Sequence, residues 1–354
     1  MKDDAMFGVD VLGEMKRIVT LLSLWAACLV APFASAGNAE GIVIAQWNVE
    51  NLYDATNDPS YKGDDEFTPS GWTRWTNVRY RMKLTNIAEI ASCMKPDIFC
   101  VEEVENIGVI NDLREIMENV FHWPMPEVVH RESNDPRGID CAILSRYKPA
   151  KVKWISFGAG TRHSPFVDFV IDGRRLVVCG NHWKSRFGNP KISNAKREVQ
   201  ADKVRATYQK RLEAEPDLAI VLTGDFNDGV LDRVPLECGP FRTNMVQVLE
   251  DGISLFCLSS LLPENKRGTF FYSQTKTWHS FDTINVSRGL LPEGNPASPW
   301  VVDFDSYQIF APERIRMGEY GAPFPARRVG TPSGHKFLYG YSDHFPVLVR
   351  IKPR

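Results

Sequence analysis

A chain of 354 residues with 43% hydrophobic and 24% charged residues has enough apolar material for one large core, which excludes a disordered or collagen-like chain. Its formal net charge of −2 excludes a global positive field that would draw in nucleic acid indiscriminately, so a polyanionic substrate has to be gripped locally. Seven cysteines with no Cys-x-x-Cys or Cys/His spacing argue against a zinc-built fold.

In chain order, Met15-Lys16-Arg17, an apolar run over residues 18–33 and Ala34-Ser35-Ala36 read as an export leader with a small-residue cleavage site. The acidic stretch before it, with Asp3, Asp4, Asp10 and Glu14, is foreign to such a leader and points to a start codon at Met15. Residues 1–36 are therefore set apart, and 37–354, which contain no Gly/Ser/Pro-rich linker or repeat, are expected to form one domain in a secreted or periplasmic protein. Six cysteines follow Cys28. Cys100, Cys141 and Cys179 lie in apolar runs and read as small hydrophobes, whereas Cys238 and Cys257 lie in less regular sequence and are the candidate bridge.

Residues 41–47 (GIVIAQW) predict a strand that delivers Asn48 and Glu50 at its end. A polar loop over 54–76 follows, and then Tyr80, Leu84, Ile87, Ala91 and Met94 recur at helical spacing until Pro96. Residues 97–101 are the next strand, ending in Glu102-Glu103, and Val109, Leu113, Ile116 and Val120 mark a second helix. Short β-runs over 142–145, 152–157, 166–171 and 175–179 include a hairpin turn at Asp172-Gly173. A charged helix over 194–212, a strand ending in the motif VLTGDFND (221–228), and strands over 269–272, 281–286 and 346–351 complete the chain. Meanders interrupted by helices imply mixed sheets covered by helices, packed face to face, not an alternating βα barrel.

Five apolar strands end in polar groups: Asn48, Glu103, His182, Asp225 with Asn227, and Asp343 with His344. An Asp-x-Asn step also starts turns, so the recurrence carries the argument and not any one motif. Glu103 and Asp343 offer hard anionic oxygens and Asn48 a neutral one, a donor set for Mg²⁺ or Mn²⁺ acting on a phosphoryl oxygen. Asp225 is the candidate to orient or deprotonate a water and Asn227 to hold a phosphate oxygen. His182 and His344 would donate hydrogen bonds to the phosphate or a proton to the leaving oxygen. Each histidine needs a carboxylate behind it; Asp282 suits His344, and Glu132 suits His182. His130 and the remaining histidines read as structural. Lys184, Arg186 and Lys191 supply a local cationic grip, and Trp72 and Trp75 are the nearby aromatics that a lipid-binding alternative would use.

The ordered set WNVEN, VEEVEN, GNHWKSR, LTGDFND, SFDTINVS and YSDHFPV resembles the endonuclease/exonuclease/phosphatase superfamily, in its deoxyribonuclease-like and secreted bacterial branches. The resemblance implies an α/β fold, a four-layer α/β/β/α sandwich of two mixed β-sheets with flanking helices and a divalent-metal site at one edge. It implies Asn48, Glu103 and Asp343 at the metal, Asp225 and Asn227 as the base-and-phosphate pair, His344 with Asp282 as the histidine–aspartate pair, and His182 as a further catalytic histidine. A Gln precedes the metal-binding Glu in that family, whereas Glu102 stands here. Arg137 and Asp140, in RESNDPRGID, either line the cleft or pair with each other. The function implied is that of a Mg²⁺-dependent phosphoric ester hydrolase, a monomer acting on DNA or RNA. Phosphomonoesterase and sphingomyelinase-like readings stand as alternatives, and a non-catalytic binding module as a rival.

Overall fold

In the computed structural model, which describes residues 41–229, 245–331 and 334–354, two six-stranded sheets carry the fold. The first runs Trp300–Ile309, Val347–Pro353, Ile42–Leu52, Ile98–Val104, Asp140–Ser145 and Glu127–Val129 in spatial order. The second runs Pro149–Ile155, Ser164–Ile171, Arg174–His182, Ile220–Asp225, Asp282–Ser287 and Leu255–Cys257. Each is mixed: Ile42–Leu52 pairs in parallel with Ile98–Val104, and Arg174–His182 with Ile220–Asp225, while their other neighbours are antiparallel. The leader expected over 1–36 lies outside the described residues.

The layering follows from the period-two alternation of side chains along a strand. Ile42, Ile44, Ile98 and Cys100 of the first sheet pack with Val178, Val221, Ile284 and Val286 of the second in one core between the sheets. The residues of opposite parity, Ala45, Trp47, Phe99 and Val101, face outward onto Leu84, Ile87, Ala91 and Leu113 of the helices Asn77–Met94 and Ile107–Asn119. On the far side Val177, Cys179, Ile220 and Leu222 pack on Val204, Tyr208 and Leu212 of the helix Pro190–Ala214. Helix, sheet, sheet, helix is the expected sandwich. Full burial of each large apolar side chain contributes about 1.5–3 kcal/mol, and strands apolar on both faces supply it in all three interfaces.

Local chemistry sets the element ends. Thr76 caps its helix by accepting from the Arg79 N–H, and Lys95 closes it in the left-handed conformation just before Pro96. Asn106 caps the next helix through the Val109 N–H. The Asp172-Gly173 hairpin has φ of 50° and 77°, the pair of positive values that a two-residue turn between twisted strands requires. The strand Trp300–Ile309 was not anticipated from the sequence. It lies at the sheet edge, its register breaks between Asp303 and Gln308, and it is only partly buried, so no clean alternation marks it. Cys257 carries a free, buried thiol with Sγ 3.1 Å from Ser259 Oγ; its expected partner Cys238 lies outside the described residues. Among the described residues no helix is long and apolar enough to cross a membrane.

Candidate active site

The parity that buries Ile42 and Ile44 between the sheets continues to Gln46 and Asn48; that of Ile98 and Cys100 continues to Glu102; that of Val221 continues to Asp225. The intersheet layer therefore changes from apolar to polar at one end. Strand pairing lines these groups up: Asn48 lies opposite Glu102, and Asp225 lies between His182 on one side and Asp282 on the other. All are buried, and a buried polar group left unpaired costs about 1–3 kcal/mol, so this end of the core persists only as a connected network.

Asp225 is its hub. Its Oδ1 accepts from the Asn227 N–H at 2.8 Å, and its Oδ2 from Asn48 Nδ2 at 3.0 Å and Asn227 Nδ2 at 3.2 Å. His182 Nε2 and His344 Nε2 lie 3.5 and 3.9 Å from the same Oδ2. Burial raises the Asp225 carboxyl to about 6, against the lowering effect of His344 and of its own hydrogen bonds. Gly224, just before it, has φ of 145°, and a Cβ there would meet the Asn181 carbonyl oxygen at 1.9 Å. The glycine of the TGD motif is thus what lets the strand bring Asp225 beside His182. Asn227 at φ 51° turns the chain back, with its side-chain amide also donating to the Trp183 carbonyl at 3.2 Å.

His344 enters from the loop before the last strand and is held at its backbone: its N–H donates to Ser342 Oγ, whose hydroxyl donates to the Asn48 carbonyl, and its own carbonyl accepts from Trp47 Nε1. Its Nδ1 sits 2.7 Å from Asp282 Oδ2. Burial alone disfavours a charged imidazole, but Asp282 and then Asp225 outweigh it and hold His344 well above the ordinary histidine value. Asp225, Asp282 and His344 place ligand-type atoms within 4.8 Å of one another, so the trio could hold a cation, and with His344 raised beside two carboxylates it also has the chemistry of an acid–base group.

His182 is the opposite case. Burial, then the guanidinium of Arg162, pushes it well below the ordinary value, against the raising effect of Glu103. The carboxylate beside it is not Glu132, as expected from the sequence, but Glu103 at 3.7 Å together with Asp225. Glu132 belongs to a separate cluster, with Oε1 3.9 Å from His130 Nδ1, because the segment after Val129 leaves the sheet before reaching the intersheet layer.

Glu103 sits at a bulge, with φ of 64° and a register shift between Glu102 and Val104. Burial raises its carboxyl, but Arg137, His182, Arg162 and the Asn51 N–H outweigh this and hold it well below the usual carboxylate range. Arg137 Nη2 lies 3.2 Å from Glu103 Oε2 and also bonds Asn51 Oδ1; of the two alternatives for Arg137, pairing with Asp140 is not the one found. Asp343 Oδ2 is 3.2 Å from Arg327 Nη1, which also reaches Glu50 Oε1 at 3.2 Å, and Asp343 Oδ1 is 3.9 Å from His344 Nε2. Glu50 and Asp343 thus meet at Arg327 in one acidic patch, and the buried Lys83, whose ammonium donates to the Glu50 carbonyl, is acted on by both of them and by Glu103. Glu103 and Asp343 offer the hard carboxylate oxygens that a divalent cation takes, with Glu103 held by Arg137 and the Asn51 N–H and the Asn48 amide oxygen accepting from the Glu50 N–H.

Of the predicted cationic grip, Lys184 is half-buried, and burial together with Arg162 lowers its ammonium. Arg186 points inward: Nε donates to the Asn227 carbonyl at 2.8 Å and Nη2 to Asp228 Oδ1 at 2.9 Å, clamping the turn after Asp225. Four contributors were not read from the sequence. Gln46 Nε2 ties Glu102 Oε2 (2.7 Å) to Asp282 Oδ1 (3.0 Å) across the sheets, and its place two residues before Asn48 on a strand was the signal. Lys83, a lysine inside an apolar helical stripe, was another. Arg162, which bonds the carbonyls of His182 and Trp183, and Arg327 lie in irregular segments without a pattern.

Comparison with curated proteins gives no match. Among solved structures, TDP2 from C. elegans has a TM-score of 0.52 at 13% identity, covering 88% of this chain and 75% of that one. Humanized D. rerio TDP2 gives 0.52 at 16%, covering 88% and 98%, and a Bacteroides thetaiotaomicron mannosyl-6-phosphatase gives 0.50 at 17%, covering 88% and 99%. At such identities these likenesses speak to the fold. A model of one family matches residues 43–353, nearly the whole described chain, and with the acid–base group and acidic patch at the edge of a four-layer sandwich it gives the conclusion that this chain belongs to the endonuclease/exonuclease/phosphatase family.

Proposed function

We propose that this member of a phosphoesterase family is an exported phosphodiesterase that hydrolyses DNA or RNA by in-line attack of water. The observation that carries the reading is the pairing of His344, backed by Asp282, with Asp225 3.9 Å away. When a diester is cleaved, the alcohol oxygen departs as a poorly stabilised alkoxide unless it is protonated; His344 as the imidazolium gives it that proton, while Asp225 holds the attacking water. His182 serves as a hydrogen-bond donor to a non-bridging oxygen, and the Asn227 amide, which donates to the Trp183 carbonyl and to Asp225 Oδ2, positions Asp225.

The family is divalent-metal dependent, and Mg²⁺ or Mn²⁺ is the ion proposed here, held by Glu103 and Asn48 with Asp343 beside them. When bound, it supplies Lewis-acid stabilisation of charge on the phosphate. The export leader read over Met15–Ala36 supports export to the periplasm or outside, and the monomeric state is part of the same proposal. A lipid substrate is disfavoured because the two candidate aromatics do not form an exposed apolar patch. Trp75 is buried and donates to the Tyr53 carbonyl, which leaves Trp72, 49% exposed with one ring face against the Arg328 guanidinium, as the one exposed member of the pair.

The purified chain with Mg²⁺ should cleave plasmid DNA, RNA and bis-p-nitrophenyl phosphate, lose this activity with chelator, and regain it with Mg²⁺ or Mn²⁺. Turnover confined to p-nitrophenyl phosphate and sugar phosphates would place it with monoesterases such as the mannosyl-6-phosphatase relative and overturn the diesterase reading.

A further inference from the structure

Apart from the active site, one cluster of ligand-type side chains stands out among the described residues. His130, Glu132 and Asp140 each offer one atom, all within 4.8 Å of one another. His130 Nε2 lies 3.4 Å from Asp140 Oδ2, and His130 Nδ1 lies 3.9 Å from Glu132 Oε1. The His130 and Asp140 side chains are each only 3% exposed. Even so, His130 Nε2 and Asp140 Oδ1 have no hydrogen-bond partner. Two adjacent buried atoms, one nitrogen and one carboxylate oxygen, are therefore unsatisfied where each would ordinarily cost about 1–3 kcal/mol.

The charges around them explain what is missing. The Glu132 and Asp140 carboxyls approach within hydrogen-bond reach of each other, and Asp58 adds a further negative charge. Among the described residues no lysine or arginine forms an ion pair with Glu132 or Asp140. Two carboxylates and an imidazole converging without a cation of their own form a donor set for a metal ion. Ligand atoms around one ion at bond lengths of roughly 2.0–2.2 Å lie about 3–4 Å apart; His130 Nε2 and Asp140 Oδ2 stand 3.4 Å apart, and Glu132 offers a third atom within the 4.8 Å that spans the cluster. Glu132 is 49% exposed, so water can complete the shell from outside. The nitrogen selects a first-row transition ion, such as zinc, manganese or cobalt, over magnesium or calcium.

The position of the cluster gives it a role. His130 follows the strand Glu127–Val129 and Asp140 opens the strand Asp140–Ser145, so the two stand at the two feet of one loop. That loop carries Arg137, paired with Glu103, and Asp135, whose Oδ2 is 3.5 Å from Arg162 Nη1. We propose that His130, Glu132 and Asp140 form a second cation site, for a first-row divalent transition metal, that closes the feet of this loop and so fixes Arg137 against Glu103. The site does not depend on the diesterase reading.

The probe is Co²⁺, added to the full chain after chelator treatment. Glu103→Gln serves as background so that the acidic patch of the active site does not compete. The E103Q chain should bind Co²⁺ with a visible ligand-field band of a nitrogen-and-oxygen site, and Zn²⁺ should raise its Tm and shift the His130 imidazole resonance. Adding His130→Gln or Asp140→Asn should weaken Co²⁺ binding at least about tenfold and abolish the band and the Zn²⁺ effect on Tm, with unchanged far-ultraviolet circular dichroism in the absence of metal. Should one of these variants fail to fold, the other and the His130 resonance in E103Q itself decide. No band in E103Q, or the same band and affinity after H130Q or D140N, would overturn the proposal.

Discussion

Asp282 joins two systems: one oxygen lies 2.7 Å from His344 Nδ1, and the other accepts from Gln46 Nε2 at 3.0 Å. The first contact keeps the imidazole charged and aimed by its Nε2 toward Asp225; the second anchors the carboxylate to the opposite sheet. The acid of the active site is thus positioned by both halves of the sandwich, and its charge depends on a buried network that ends at Glu102.

Glu102 is where this chain departs from the family pattern, and the structure gives the departure a physical reason. Burial, with Asp282 and Asp225 adding to it, pushes its carboxyl well above the usual range against the Gln46 hydrogen bond, which favours the uncharged acid, a close isostere of an amide. Glu102→Gln is expected to keep kcat/KM within about threefold, whereas Glu102→Ala opens a hole in the network and costs about 2–4 kcal/mol. The sign of the pH effect follows from linkage. A raised folded pKa contributes stability that is complete below the unfolded value near 4.5 and is lost as pH rises through the folded value. E102Q should therefore unfold later than the parent at alkaline pH, and a series of urea titrations across pH measures this.

Gly224→Ala tests the strand geometry. The substituted Cβ would meet the Asn181 carbonyl at 1.9 Å in a backbone with φ of 145°, so we expect a loss of about 3 kcal/mol or more. Chemical denaturation checks the loss. Gly158→Ala, which also has a positive φ of 109° but nothing within 4 Å, should cost clearly less.

The pH profile tests Asp225. Its carboxyl titrates at about 6 and must be ionised to hold or deprotonate water, so kcat/KM of the parent should rise with pH through about 6. Asp225→Asn should lower it by about 100- to 10,000-fold and remove that limb. A limb of equal size and midpoint in D225N would assign it to another group.

Much of this was legible in the sequence because strand parity is a strict rule. Apolar residues at 42 and 44 place 46 and 48 on the same face, and likewise 221 places 225; once two sheets stack, those polar ends must meet. The rest depended on how irregular segments fold. Arg186 read as a phosphate grip from its nearness in sequence to His182, yet its guanidinium turns inward to Asp228 because that buried carboxylate requires a counter-charge. Glu132 read as the support of His182, yet the loop carries it to His130. Arg327 and Arg162 reach the site from loops that no periodicity marks, and only the coordinates place them.

The central claim is that His344, charged through Asp282, protonates the leaving oxygen. The most direct measurement compares kcat of the parent and His344→Ala on two diesters that differ in the leaving group, one a poor alkoxide and one p-nitrophenolate. The account predicts a loss of about 100- to 10,000-fold on the alkoxide and a much smaller loss on the nitrophenolate, which needs no proton to depart. Equal losses on both substrates, or no loss on the alkoxide, would contradict it.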